Sequence, residues 1–410
     1  MENTINDLII IGAGAAGLMA AAEASQAGLR VLVLEGQREP GLKILITGGG
    51  RCNVTNARIS EKDFNAGCSH TLRHVLKTFP PRQAVDFFEK WGAPLALQET
   101  GEFFSGDNKA RTVRDALIRA VEHGGARILC DRKVSAMATQ DGQFNVVAGH
   151  DVFVGKNVLV TTGGLSYPAT GSDGSGYHLA ESFGHLILPT HPALVPLVAA
   201  RQVLAHLSGI TLPVRLALWA QGRKLKVIEG PLLFTHNGFS GPAPMEMAGP
   251  WLAVKAQTGS MINCDFLPQI KGDGIDFVLD PSVARRSVKN IISGFLPERL
   301  VLVLLEEAGV DSHRLAIDLS NEDKRSIGRM LRAYPLPVAD VMGYSKAEVT
   351  AGGVDLKELK GATLESRLQQ GLFFAGEVVD VDGRIGGFNL QWAWASGIAA
   401  ARAIVKKGSL

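Results

Sequence analysis

A chain of 410 residues is too long for one hydrophobic core and fits two or three domains. With 46% hydrophobic and 20% charged residues its composition is globular, which excludes a disordered or fibrous chain. Its 42 Lys and Arg against 40 Asp and Glu leave +2, too little for net charge alone to imply a polyanionic partner, and the four cysteines (Cys52, Cys68, Cys130, Cys264) form no CxxC pair, which argues against a disulfide framework or structural zinc.

Asp7 to Ile11 is a short β-branched run of the kind buried on both faces of a parallel sheet. Ala15 to Ala27 predicts a helix with Gly28 as its C-cap, and Arg30 to Leu34 a second strand that ends at Glu35. Between strand and helix lies Gly12-Ala13-Gly14-Ala15-Ala16-Gly17, a GxGxxG turn. Gly12 allows the tight turn, Gly14 the approach of a pyrophosphate, and Gly17 close packing of helix on strand. Phosphates would meet free N–H groups at the positive end of the helix. Glu35 stands where a carboxylate accepts ribose hydroxyls and would repel a 2′-phosphate, which disfavours NADP at this site. The apolar stretch Leu8 to Ala22 has no Lys or Arg before it, the first being Arg30, so a signal peptide is not expected. No other run approaches the ~18 apolar residues of a membrane span, and a cytoplasmic protein without one is expected.

Asp63 to Gly125 reads as mainly helical, with Pro80-Pro81 starting one helix, and Ala126 to Val160 as short strands. Val158 to Thr162 runs into Gly163-Gly164. Thr170 to Tyr177 is a further Gly-rich turn ahead of a helix; without a strand ending in GxGxxG before it, it reads as part of the same domain. After about Thr190 strand-like runs such as Val214 to Trp219 continue to about Leu267, followed by helices, several basic, from about Gly274 to Tyr334. From Val338 strands return, with Gly371 to Glu377 as a buried strand, and a last helix runs from about Leu390 to Lys407. The expected organisation is an α/β cofactor domain built from both chain ends (1–190 and 336–410), with an inserted β-rich substrate or cap domain (191–270) and an inserted helical domain (271–335).

Three long segments settle which dinucleotide is expected. Gly41 to Asn56 (GLKILITGGGRCNVTN) resembles the signature loop of the BaiN-type, YhiN-like bacterial FAD flavoproteins. Leu233 to Ala243 and Gly376 to Ala393 resemble two further motifs of that family, in family order. The resemblance implies a Rossmann-like FAD domain of the glutathione-reductase and fumarate-reductase kind. It carries FAD contacts onto Ala15, Glu35, Lys43, Val134, Glu377, Asn389 and Leu390 with the glycines between. The candidate cofactor set is completed by Gly12, Gly14, Ala16, Gly17, Leu42, Thr47, Gly48, Gly49, Arg51, Cys52, Asn53, Thr162, Gly163, Gly376, Gly387 and Phe388. Lys43 and Arg51 could neutralise the pyrophosphate, and Gly386-Gly387 would aim helix N–H groups at the flavin N1/O2 edge. Glu377 matches a position that holds the ribityl chain or an ordered water in such folds.

A catalytic residue need only move a proton beside the ring. His236, in a glycine-rich turn, is the first candidate, the alternative being a turn-capping or packing histidine. Arg384 is either a substrate anchor or a partner of Asp380 and Asp382. Tyr167 is a phenolic donor or a packed aromatic, and Cys52 a redox thiol or, better, a small residue fitted against the cofactor. Trp392 and Trp394 cannot share a helix face, so one is expected in the core and one at a domain contact. His178, His185 and His191 form no convincing metal set. Arg285, Arg286, Lys289, Lys324, Arg325, Arg329 and Arg332 read first as a solvated face, with nucleic acid or an anionic substrate as the alternative, and a nucleic-acid partner is not expected. The expected activity is FAD-dependent hydride transfer to a conjugated C=C of a small hydrophobic enone or sterol-like substrate. The electrons would come from NAD(P)H bound without its own Rossmann unit, or from another reduced donor. The rivals are an amine oxidase of the aminoacetone type, a flavin-dependent nucleic-acid-modifying protein, and a flavin scaffold without turnover.

Overall fold

The computed structural model describes residues 5–200, 206–270, 275 and 280–408; 271–274 and 276–279, where the expected helical stretch begins, lie outside them. The chain divides into two compact units, 1–192 with 344–410, and 193–343.

The first unit is built on five parallel strands in the order Leu372–Phe374, Val158–Val160, Leu8–Ile11, Val31–Leu34, Arg127–Leu129. The first four contain only buried aliphatic and aromatic residues, which is why the sheet takes helices on both faces rather than facing water. Ala15–Gln26 packs on Ala110–His123 and on the last helix, Phe388–Gly408. A Cβ on Gly397 would sit 2.5 Å from the Ala16 carbonyl, so these two backbones touch. Asp63–Gly125 holds the helices Ser69–Thr78, Pro81–Lys90 and Ala110–His123, with the short strands Leu95–Leu97 and Glu102–Ser105 between. Trp392 and Trp394 depart from expectation: both are buried in this unit. Their indole N–H groups donate to Gly376 O at 3.0 Å and Val54 O at 2.9 Å. The helix is surrounded, so facing opposite ways does not bring a tryptophan to a surface.

The second unit is a seven-stranded antiparallel sheet: Tyr334–Leu336, Met261–Asp265, Thr211–Ala220, Arg223–Thr235, Gly238–Ser240, Leu197–Ala199, Val338–Val341. Leu212, Val214, Leu216 and Leu218 alternate into the core. Pro242–Val254 packs on the two long strands, and Glu298–Ala308 packs on Asn321–Arg332. The insertion extends to Gly343 because the strands at 334–336 and 338–341 form the two edges of this sheet.

Candidate functional site

The GxGxxG turn is held from the sheet side. Gly12, at φ +100°, donates to Leu34 O at 2.8 Å, and the Thr161 hydroxyl lies 2.7 Å from Gly12 O and 3.0 Å from Ile11 O. Thr161 is a residue the sequence reading passed over; its only signal was its place at the end of an apolar strand. A Cβ on Gly17 would lie 2.0 Å from Gly12 O, whereas one on Gly14 would meet nothing nearer than Thr161 O at 3.9 Å. Gly17 is therefore a packing glycine, and Gly14 borders open space at the N-terminus of helix Ala15–Gln26, whose first N–H groups have no acceptor within the helix. Glu35 closes the turn: its carboxylate accepts from Ala13 N at 2.7 Å and Gln37 N at 2.8 Å. Burial raises its carboxyl pKa, against the pull of the backbone N–H groups.

In the glycine loop, Leu42–Ile46 is one helical turn followed by Thr47–Gly50, with Gly48 and Gly49 in left-handed geometry. No described atom would lie within 4 Å of a Cβ on Gly49. Arg51 lies over the Phe104 ring at 4.5 Å and is exposed. The Asn53 amide, with oxygen toward Gly387 N (3.1 Å) and nitrogen toward Thr55 O (3.3 Å), ties this loop to the last helix. Cys52, at φ +57°, is fully buried, and burial pushes its thiol up to about 12. That leaves no thiolate near neutrality, so a redox role for Cys52 falls. Cys264 is shifted the same way, whereas the Thr71 hydroxyl and backbone lower Cys68. Thiol titration at pH 8 is expected to label Cys68 first, and Cys52 and Cys264 only after denaturation. Fast labelling of Cys52 in the folded protein would contradict the loop's packing.

Lys43 is held by an ion pair within the fold. Its ammonium reaches Glu377 Oε2 and Ser166 Oγ, both at 2.5 Å. The other Glu377 oxygen accepts from Ser166 Oγ and from Thr350 N at 2.9 Å, and the Thr350 hydroxyl accepts from Leu165 N and Ser166 N. This knot joins the glycine loop, the segment after Val158–Val160 and the C-terminal motif. Ser166 and Thr350 have no motif that would have marked them. Beside it, Tyr167 is half-buried at φ +52°; burial and the Glu348 charge raise its pKa, so its phenol stays protonated. The Tyr177 hydroxyl is buried with no hydrogen-bond partner among the described residues. Thr162 and Gly163 border this knot's segment, and Val134 is buried at the start of strand Val134–Gln140.

Downstream, Gly376 N donates to Ser396 Oγ at 2.9 Å. Arg384 pairs with Asp63 at 3.0 Å and lies over Phe388 at 4.6 Å, so its partner is neither Asp380 nor Asp382. The Asn389 amide clamps Gly383 through N and O at 2.7 and 2.9 Å, which leaves the backbone N–H groups of Phe388, Asn389 and Leu390 as the donors of that helix start. Asp382 is buried, bonded by Asn65 Nδ2 at 2.9 Å, and pushed up to about 6, by burial first and then by the charges of Asp380 and Glu377. An unfolded aspartate ionises near 3.8, so between there and pH 6 the folded state binds the extra proton. Stability is expected to fall by about 3 kcal/mol as pH rises through that window and then level off. Denaturant melts of Asp382→Asn should lack this slope; an unchanged slope would assign it elsewhere.

His236 occupies, with Asn237, an exposed two-residue turn between Arg223–Thr235 and Gly238–Ser240 in the second unit. Of the other histidines singled out, His178 contacts Glu181, and the buried His185 bridges Glu358 (2.9 Å) and Ser366 (2.8 Å). Among the described residues no group of three or more His, Cys, Asp or Glu could hold a metal ion, and no helix is long and apolar enough to cross a membrane. In the basic stretches Arg332 is tied to Asp265 and Lys289 to Glu298.

Residues 6–403 match the HI0933-like protein Rossmann domain family. The chain belongs to the HI0933-like family. It is 34% identical over 404 residues, 97% of this chain and 98% of the relative, to the ribosomal RNA dihydrouridine synthase of Escherichia coli (strain K12). It is 30% identical to the 3-dehydro-bile acid delta(4,6)-reductase of Clostridium scindens, over 98% of this chain and all of that one. Among solved structures, E. coli quinol fumarate reductase FrdA covers the whole chain (71% of its own) at 16% identity and a TM-score of 0.51, a likeness of fold. As a member of the HI0933-like family the chain is an FAD-dependent oxidoreductase with a Rossmann-type α/β fold. The residues fit FAD: the space at Gly14 and the N–H donors of two helix starts, among the described residues, are what its pyrophosphate and ring edge require, and Glu35 stands at the end of the second strand with its carboxylate on the turn.

Proposed function

We propose that this HI0933-like protein reduces a C=C bond conjugated to a carbonyl, and that its substrate is a uracil base in ribosomal RNA. The full-length likeness to a ribosomal RNA dihydrouridine synthase carries the reading. Uracil C5=C6 is conjugated to the C4 carbonyl, so its reduction is the same reaction class as that expected from the sequence for an enone. Bound, reduced FAD supplies the hydride to the carbon β to the carbonyl. Gly12, Gly14, Ala15, Ala16, Gly17 and Glu35 would hold its adenosine diphosphate half, with Val134 near it. Leu42, Thr47, Gly48, Gly49, Arg51, Cys52 (through its backbone), Asn53, Thr162 and Gly163 would surround the rest. Lys43 and Glu377 would anchor the polar chain, and Gly376, Gly387, Phe388, Asn389 and Leu390 the ring edge. Tyr167, kept protonated by its surroundings, would donate the proton to the α-carbon. Arg384 of the first unit is the further candidate for a substrate anchor, and His236 is a separate candidate within the second unit.

The test incubates FAD-loaded protein anaerobically with NADH or NADPH and ribosomal RNA lacking the modification, then digests the RNA and measures its nucleosides by mass. Uridine that gains two hydrogens at one position supports the reading; RNA that stays unchanged while the flavin turns over on another substrate overturns it. A steroid-like dienone is the second reading, favoured by the likeness to the bile-acid reductase. It predicts product from a 3-oxo-4,6-diene and none from RNA. Tyr167→Phe is expected to lower turnover about 100-fold with flavin reduction by NAD(P)H unchanged.

A further inference from the structure

We infer that the outer face of the seven-stranded sheet in the 193–343 unit, centred on the hairpin Thr211–Thr235, is a surface for single-stranded RNA; this rests on the uracil reading above. One face of the long strands is core. The other carries Trp219, Leu225, Val227 and Met261, of which Leu225, Val227 and Met261 are 48%, 44% and 45% exposed. Trp219 and Met261 are cross-strand neighbours, and Val227 faces Ala217 one step along. An irregularity between Leu218 and Trp219 lets Leu225 bulge beside them.

The charge around this apolar strip is one-sided. Arg223, Lys224 and Lys226 are exposed at the tip of the hairpin and make no ion pair among the described residues; Lys224 is the cross-strand neighbour of Trp219 on this face, whereas Arg223 and Lys226 pair with Ala220 and Leu218 and line the tip from its other side. The Lys224 ammonium lies 5.3 Å from the Trp219 ring. The carboxylates on this face, Glu229 and Asp265, are both taken by Arg215, at 2.7 and 3.5 Å. The second unit as a whole is nearly balanced, with 16 Lys and Arg against 14 Asp and Glu, so the excess at the hairpin is local. A second copy seated here would set these cations against their own equivalents, since a two-fold contact pairs a patch with itself. A strand of RNA supplies the complementary chemistry: phosphates for the three cations and flat base faces for an indole and its apolar neighbours.

The experiment uses the full, FAD-loaded chain and a fluorescent oligouridylate, with anisotropy measured from low to moderate salt. Combined Arg223→Ala, Lys224→Ala and Lys226→Ala is expected to weaken binding at low salt by about 100-fold. It should also flatten the dependence of log K on log salt by about 2, close to 0.7 per lost phosphate contact. Trp219→Ala is expected to weaken binding by roughly 5- to 100-fold with the salt slope unchanged. Retained flavin absorbance and melting temperature show that the exposed substitutions leave the fold intact. Unchanged affinity in both variants, no binding by the unaltered chain at low salt, or a defect seen only with anionic vesicles each overturns the proposal. The nucleoside assay separates the two readings. If the unaltered chain forms dihydrouridine while the variants bind normally, this surface is wrong and the uracil reading stands. If binding depends on the hairpin but no dihydrouridine forms, the surface stands and the uracil reading falls.

Discussion

Gly17→Ala should purify colourless and unstable, and Gly14→Ala colourless but stable. The added methyl at position 17 would lie 2.0 Å from Gly12 O and 2.6 Å from the Thr161 hydroxyl, and the backbone atom cannot rotate away. Helix Ala15–Gln26 must lift off the turn, which disturbs its contacts with the last helix as well. Overpacking of this kind costs about 3 kcal/mol or more, and the melting temperature should drop by roughly 5–10 °C. At position 14, φ is −77°, within reach of any L-residue, and the methyl meets no protein atom closer than 3.9 Å. It would instead stand in the space beside the helix N-terminus, where a pyrophosphate needs the bare backbone. Flavin absorbance of the purified protein, FAD titration of the stripped protein, and thermal melts decide the matter. Gly14→Ala that binds FAD as tightly as the unaltered chain would place the pyrophosphate elsewhere.

Glu377→Ala is expected to destabilise the first unit by about 3 kcal/mol, more than Lys43→Met does. The two side chains are 17% and 21% exposed, enough protein cover that a lone charge is poorly solvated. Losing Glu377 strands the Lys43 ammonium with one hydroxyl and also leaves Thr350 N without its acceptor. Losing Lys43 leaves Glu377 with two donors still in place, Ser166 Oγ and Thr350 N. Combining Lys43→Met with Glu377→Ala should cost less than the separate losses added together, by about 1–3 kcal/mol, because neither change then strands a charge. Denaturant melts of the four proteins measure this directly. Strict additivity would mean that the ammonium and the carboxylate do not interact in solution.

Where local rules govern, the sequence was readable. The Gly12–Gly17 turn, its flanking strands and Glu35 form one contiguous unit whose spacing is set by backbone geometry, so the strand, turn and helix could be placed in advance. The Lys43–Ser166–Glu377–Thr350 knot could not, because its members lie up to 334 residues apart and meet only when the sheet order is known. The ion pair of Lys43 with Glu377 was consequently not foreseen, and the structural alternative for Arg384 named Asp380 and Asp382, four and two residues away, rather than Asp63. Side-chain pairing across long separations is decided by topology, not by neighbours in the chain. The tryptophan pair failed for a different reason: helical phase tells which residues oppose each other, but not whether the helix has any open side.

The parallel sheet has a consequence for synthesis. Its strand Leu372–Phe374 pairs with Val158–Val160, and the 193–343 unit is translated between them. At about 5–20 residues per second, the earlier strand waits roughly 10–40 s for its neighbour to leave the ribosome. Throughout that interval the edge of Val158-Leu159-Val160 that faces away from Leu8–Ile11 is unpaired, while the inserted unit, continuous in sequence, is complete as soon as residue 343 has been made. Nascent chains halted before residue 372 should therefore be substrates for chaperones and proteases, and the yield of active protein should respond to slow codons after residue 343.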